Sequence, residues 1–126
     1  MGIENRKHER IDTDFLVRIT VPAGGDVQDG TCLNLSESGL FVQMSEPPPN
    51  GSTLHLELYL EPIGQTVHVD GTVLWVRPKM PDSQFPPGAG MRFEGMRDET
   101  RALIRKAVAE QTKRLPKLPI FREQKP

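Results

Sequence analysis

The chain has 126 residues, with 16 basic and 17 acidic side chains, a net charge of −1 and one cysteine. That length fits a single domain that folds without cross-links, since a chain of this size buries roughly two-thirds of its unfolded surface. The lone Cys32 excludes an internal disulfide and fits a reducing cytoplasm, and the balanced charge and small aromatic content argue against a DNA- or RNA-polymer binder while leaving room for a small ligand held by a local basic cluster.

Residues 1–14 are charged, with little apolar periodicity. MGIENRKHER has no apolar core, so no secretory signal is expected, and Arg6 stands where a myristoylation motif wants Ser or Thr. FLVRITV (15–21) then alternates, with Phe15, Val17, Ile19 and Val21 on one face, the period of a half-buried strand. VQDGTCLNL (27–35) and GLFVQM (39–44) read as the next two strands, and EPPPNG (46–51) as a turn. STLHLELYL (52–60) puts four leucines in register. TVHVDGTVLWV (66–76) is a long strand in which Gly71 predicts a bulge or sharp bend. A Pro-rich loop covers 77–88, and AGMRFEG (89–95) is the last strand. The period then changes. Residues 97–114 predict a helix with Asp98 as N-cap, Leu103, Ile104, Ala107 and Val108 as its apolar stripe, and Arg97, Arg101 and Arg105 along a solvated face. Pro116 and Pro119 end it, and 115–126 reads as a mobile tail. No apolar run approaches the roughly 18 residues of a membrane span. Six short strands followed by one helix point to a small antiparallel barrel, whose closure removes exposed edges.

Enzyme chemistry finds little footing. His8, His55 and His68 have no metal-ligand spacing, Ser36 has no recognisable base, and there is no phosphate-binding glycine pattern, so neither a catalytic residue nor a metal or cofactor site is expected. His55 and His68 read as solvated or core-edge residues, and Trp75, between Leu74 and Val76, as barrel packing.

Two motifs remain: R-x-x-x-R at Arg6 and Arg10, and N-x-S-x-x-G at Asn34, Ser36 and Gly39. Either alone is ordinary, since Asn, Ser and Gly are what any turn uses. In this order, with the second motif in a strand–turn–strand and a GMRF strand (90–93) and terminal helix behind it, the chain resembles the PilZ domain over roughly residues 5–112. The resemblance implies a six-stranded antiparallel barrel and a bacterial receptor for cyclic di-GMP. All five signature positions are filled, with Asn34 the less usual of two allowed residues. The chemistry is coherent. Arg presents a fork to guanine O6/N7 or a phosphate, and Asn34 can accept from guanine N–H groups. Ser36, two residues on, is expected to face the same ligand, and Gly39 to allow a close or positive-φ turn. Lys7, His8 and Arg92 are further candidates.

The expected organisation is a mobile segment over 1–12 that carries the arginine pair as a lid, a barrel with helix over 13–114, and a Pro-rich basic tail over 115–126. Ligand would order the lid, a switch for a partner to read. By resemblance, the expected role is a stand-alone, cytoplasmic, non-enzymatic receptor that acts through an unidentified protein effector on motility, pili, exopolysaccharide or virulence. Asn5 in place of another Arg before Arg6 leans towards one bound ligand rather than a stacked pair. The rival role is a PilZ-like protein-interaction module that does not bind nucleotide.

Overall fold

The structure is a computed structural model that describes residues 10–22 and 24–114. Its strands are β1 (Ile11–Val21), β2 (Asp26–Leu35), β3 (Gly39–Gln43), β4 (Thr53–Leu60), β5 (Gln65–Arg77) and β6 (Gly88–Glu94). A single 3-10 turn, Glu61–Ile63, joins β4 to β5, and the helix α1 spans Asp98–Arg114. The six strands close into an antiparallel barrel in the order β1-β2-β3-β6-β5-β4.

Period-two alternation explains the barrel wall. Phe15, Val17 and Ile19 on β1 and Leu54, Leu56, Leu58 and Leu60 on β4 all point inward and are buried. β1 and β4 close the barrel with Val17 opposite Leu58 and Ile19 opposite Leu56. β1 begins at Ile11, not Phe15. Ile11 and Thr13 continue the buried alternation, while Asp12 and Asp14 face outward and gave the stretch its charged look. Residues 11 and 12 are therefore strand, not lid, and the expectation of a mobile segment over residues 1–9 falls outside the described residues.

Three register shifts interrupt the ladders. On β2, Leu33 is the extra residue between the pairs Cys32–Val42 and Asn34–Phe41. Opposite it on β1, Thr13 and Asp14 lie between the pairs Asp12–Asn34 and Phe15–Cys32. On β5 the extra residue is Leu74, between the pairs Val73–Met91 and Trp75–Gly90. The bulge expected at Gly71 is thus three residues further on. Gly71 pairs regularly with Leu54 and Phe93, and its missing side chain makes room inside the barrel, where a Cβ would stand 3.2 Å from Met91 Sδ.

The helix lies against the barrel through Ile104 and Ala107, both fully buried, with Leu103 and Val108 partly buried beside them. The Arg101 amide donates to the Arg97 carbonyl at 3.0 Å, so Arg97 occupies the capping position and Asp98 is the first helical residue, where its charge suits the dipole. Among the described residues no helix is long and apolar enough to cross a membrane. Truncating Ile104 to Ala should cost about 2–5 kcal/mol, as for other fully buried aliphatic side chains. An unchanged denaturation midpoint would show that α1 is not part of the cooperative unit.

Candidate functional site

The bulges decide which side chains reach the outer surface. Cys32 points inward, and strict alternation would send Asn34 inward too. The extra Leu33 reverses the phase, so Leu35 is fully buried and Asn34 turns out. Thr13 is buried beside this bulge. Its hydroxyl donates to the Cys32 carbonyl at 2.6 Å, and Cys32 Sγ donates to the Asn34 carbonyl at 3.2 Å, which satisfies backbone groups near the shifted ladder. Burial pushes the Cys32 thiol up to about 12, so it stays neutral and unreactive near neutrality.

The same device works on β5. Val73 is inward, and the extra Leu74 brings Trp75 out, leaving it 45% exposed. Trp75 is therefore surface, a correction to its reading as barrel packing. Asn34, Phe41, Gly90 and Trp75 form one row across β2, β3, β6 and β5. The indole lies over Gly90, where any Cβ would strike Nε1, and stacks on Phe41 with centroids 5.2 Å apart. The Arg77 guanidinium sits 4.7 Å from the Phe41 ring centroid and 5.4 Å from that of Phe85, and donates from Nη1 to the Pro86 carbonyl at 3.1 Å. It thereby fastens the Pro-rich loop against this platform.

Arg10 completes the row's open end. It lies just before β1, and its Nη1 donates to Asn34 Oδ1 at 2.8 Å, joining the two motifs across 24 residues. Arg10, Asn34, Leu40, Phe41, Leu74, Trp75, Gly90 and Met91 line a groove of about 260 Å³. One wall is cationic and amide-bearing, and the opposite wall is a flat aromatic face. Such a groove suits a planar, hydrogen-bonding group with an anionic attachment.

Ser36 and Gly39 stand behind the groove. Ser36 is buried, contrary to the expectation that it faces ligand alongside Asn34. β2 ends at Leu35, and the chain turns before Ser36 can share Asn34's face. Its Oγ accepts from the Ser38 and Gly39 amides at 3.2 and 3.3 Å, and its own amide donates to the Gly39 carbonyl at 2.9 Å. Gly39 has no positive φ. It is required because β6 runs close beneath it, and a Cβ would collide with the Met91 carbonyl oxygen. Arg92, paired with Gly39, faces outward. Its Nε and Nη2 donate to Glu94 Oε2 at 3.0 and 2.8 Å, away from Gly90, and the Glu94 carboxyl is held below its usual range chiefly by that contact. Arg6, Lys7 and His8 lie outside the described residues.

His55 and His68 meet on the outer face of β4 and β5. His55 Nδ1 is 3.0 Å from Asp70 Oδ1, and its Nε2 is 3.4 Å from His68 Nδ1. Among the described residues no group of three or more His, Cys, Asp or Glu is placed to hold a metal.

The PilZ domain model matches residues 4–110. The chain belongs to the PilZ domain family. Its barrel is similar to the Bacillus subtilis inhibitor of motility MotI/DgrA, at 17% identity and a TM-score of 0.69, over 87% of this chain and 52% of that one. It is similar to the PilZ domain of Escherichia coli YcgR with c-di-GMP, at 17% identity and a TM-score of 0.66, over 86% of this chain and 92% of that one. It also resembles the K. pneumonia MrkH–c-di-GMP complex, at 17% identity and a TM-score of 0.68, over 94% of this chain and 55% of that one. This PilZ chain thus spans about half the length of the MotI/DgrA and MrkH chains. At such identities the likeness concerns the fold. No curated protein has a matching sequence.

Replacing Ser36 by Ala leaves the amides of Ser38, which is exposed, and Gly39, which is buried, without this acceptor. Stability should fall by about 1–3 kcal/mol, the usual cost of unsatisfied buried groups. A melting temperature equal to that of the parent would place Ser36 outside the scaffold.

Proposed function

We propose that this PilZ domain is a receptor for cyclic di-GMP, non-catalytic, signalling to a protein effector in control of motility, pili, exopolysaccharide or virulence. The observation that carries the reading is the 2.8 Å contact of Arg10 with Asn34 beside an exposed Trp75, which brings residues from both motifs to one groove. The fold's likeness to receptors solved with c-di-GMP supports it.

In this reading Trp75 offers a flat face to one guanine. Asn34 Oδ1 has two lone pairs and can accept from a guanine N–H while keeping Arg10. Arg10, and Arg6 from the preceding segment, supply forks for guanine O6/N7 or phosphate. Lys7 and His8 would add positive charge near the phosphates. Arg92 reaches ligand only by leaving Glu94. Ser36 and Gly39 act by shaping the loop that follows Asn34. The clamp is confined to residues before Ile11, because Arg10 is already held at Asn34 and Ile11 is part of the barrel.

Calorimetry with cyclic di-GMP tests the reading directly, and absence of binding would leave the interaction-module role in its place. Ala at Arg6 or Arg10 should weaken binding by about 5- to 150-fold, the range for a bidentate base contact. Trp75 is the chain's only tryptophan, so its fluorescence reports on the groove. Cyclic di-GMP should quench it saturably, with the same midpoint as calorimetry. Binding with no change in emission would put the base elsewhere.

A further inference from the structure

The loop between β2 and β3 is gripped from outside the sheet. Arg105 of α1 sets Nε 3.0 Å from Glu37 Oε2 and Nη2 3.1 Å from Glu37 Oε1, a fork-on-fork pair. One helical turn earlier, Arg101 Nη1 donates to the Glu37 carbonyl at 3.5 Å. Glu37 therefore meets the helix through both backbone and side chain, across 64 and 68 residues of sequence. Its side chain is only 18% exposed, so the pair is shielded from solvent on the Glu37 side. Glu37 sits between Ser36, whose hydroxyl organises the loop, and Ser38, whose carbonyl accepts from the Phe93 amide of β6 at 3.0 Å. The anchor is rigid, because α1 is seated by Ile104 and Ala107 and its last turn is pinned by Arg114 to Glu61 at 2.6 Å.

We propose that Arg101 and Arg105 are positioning residues for the ligand-binding loop, acting through Glu37, so that occupancy of the groove and the seating of α1 are coupled. The inference rests on the cyclic di-GMP reading of the groove. Asn34 is the penultimate residue of β2, two before Ser36, so the position of the loop that follows bears on where its amide points. A bidentate pair whose arginine is exposed adds little to global stability, but it fixes two groups in one geometry. Linkage is reciprocal: if α1 holds the loop in its binding position, ligand must hold α1 against the loop by the same factor.

The test is a charge swap read by cyclic di-GMP titration. Arg105→Glu and Glu37→Arg should each weaken binding by roughly 5-fold, the size of a well-made surface pair. The Glu37→Arg, Arg105→Glu double variant should recover affinity. Glu37→Arg is the sharper arm, because simple attraction of the ligand's phosphates predicts tighter binding, whereas loop misplacement predicts weaker. Arg97→Glu, whose guanidinium meets Glu99 rather than the loop, removes the same charge from the helix and should bind as the parent does. Glu37→Gln keeps the side chain's shape, and should show the same direction of effect if the reversed charges fail to fold. Hydrogen exchange should slow at residues 101–108 of the parent on ligand addition. Parent-like or tighter binding by Glu37→Arg, or failure of the double variant to recover, overturns the coupling and leaves the ligand assignment standing. A parent that does not bind cyclic di-GMP overturns the ligand assignment, and the inference with it.

Discussion

The outer groove depends on two residues with no partner in the sheet. Leu33 on β2 adds one position relative to β3, and Leu74 on β5 adds one relative to β6. A strand has a period of two, so a single inserted residue exchanges its faces from that point on. Remove either insertion and Asn34 or Trp75 turns into an already full interior, while an aliphatic residue takes its place outside. The barrel tolerates both because the disturbed backbone finds other partners. Thr13 and Cys32 supply hydrogen bonds around the β2 bulge, and Gly90 leaves room for the displaced indole.

Close approach is the second constraint. Gly39 and Gly90 lie where β3 and β5 press closely on β6, at Met91 and Trp75 respectively. Neither carries positive φ, so their role is spatial rather than conformational. Together they set the depth of the groove: one lets the signature loop sit low over β6, the other lets the aromatic wall lie flat. The loop itself uses the Ser36 hydroxyl as a third backbone-like group. A hydroxyl that both accepts and donates can replace ladder bonds that a three-residue connection cannot make.

Polar ties then connect this rim to the rest of the molecule. Arg10 reaches Asn34 from the start of β1, Arg77 fastens the β5–β6 loop, and Arg105 reaches Glu37 from the far end of the chain. None of these is in the core, and an ion pair such as Arg105–Glu37, whose arginine is exposed, contributes little to global stability. They instead restrict the relative positions of loop, groove and helix, which is where a binding event has to be felt if a second protein is to sense it.

Much of the barrel was legible from sequence alone. The leucines of β4 and the Phe15–Val17–Ile19 run declare their faces by alternation, and the helix declares its buried stripe at Ile104 and Ala107, because both periods are properties of neighbouring residues. The PilZ signature was legible as a pattern too, though not the division of labour within it. Ile11 was missed because the intervening Asp12 and Asp14 dominate the local composition, and Trp75 because Val73 and Val76 gave no hint of an inserted residue. The contact of Arg105 with Glu37 had no local sign at all: spacing along a helix shows that Arg97, Arg101 and Arg105 share a face, not what that face meets. The sequence determined the strands, their count and which residues could serve a ligand. Only the tertiary structure decided that Asn34 and Trp75 face out together, that Ser36 and Gly39 build rather than line the groove, and that α1 holds its loop. Bulges, close strand approaches and ion pairs between distant segments are set by packing across the barrel, and that packing exists only once the chain has closed.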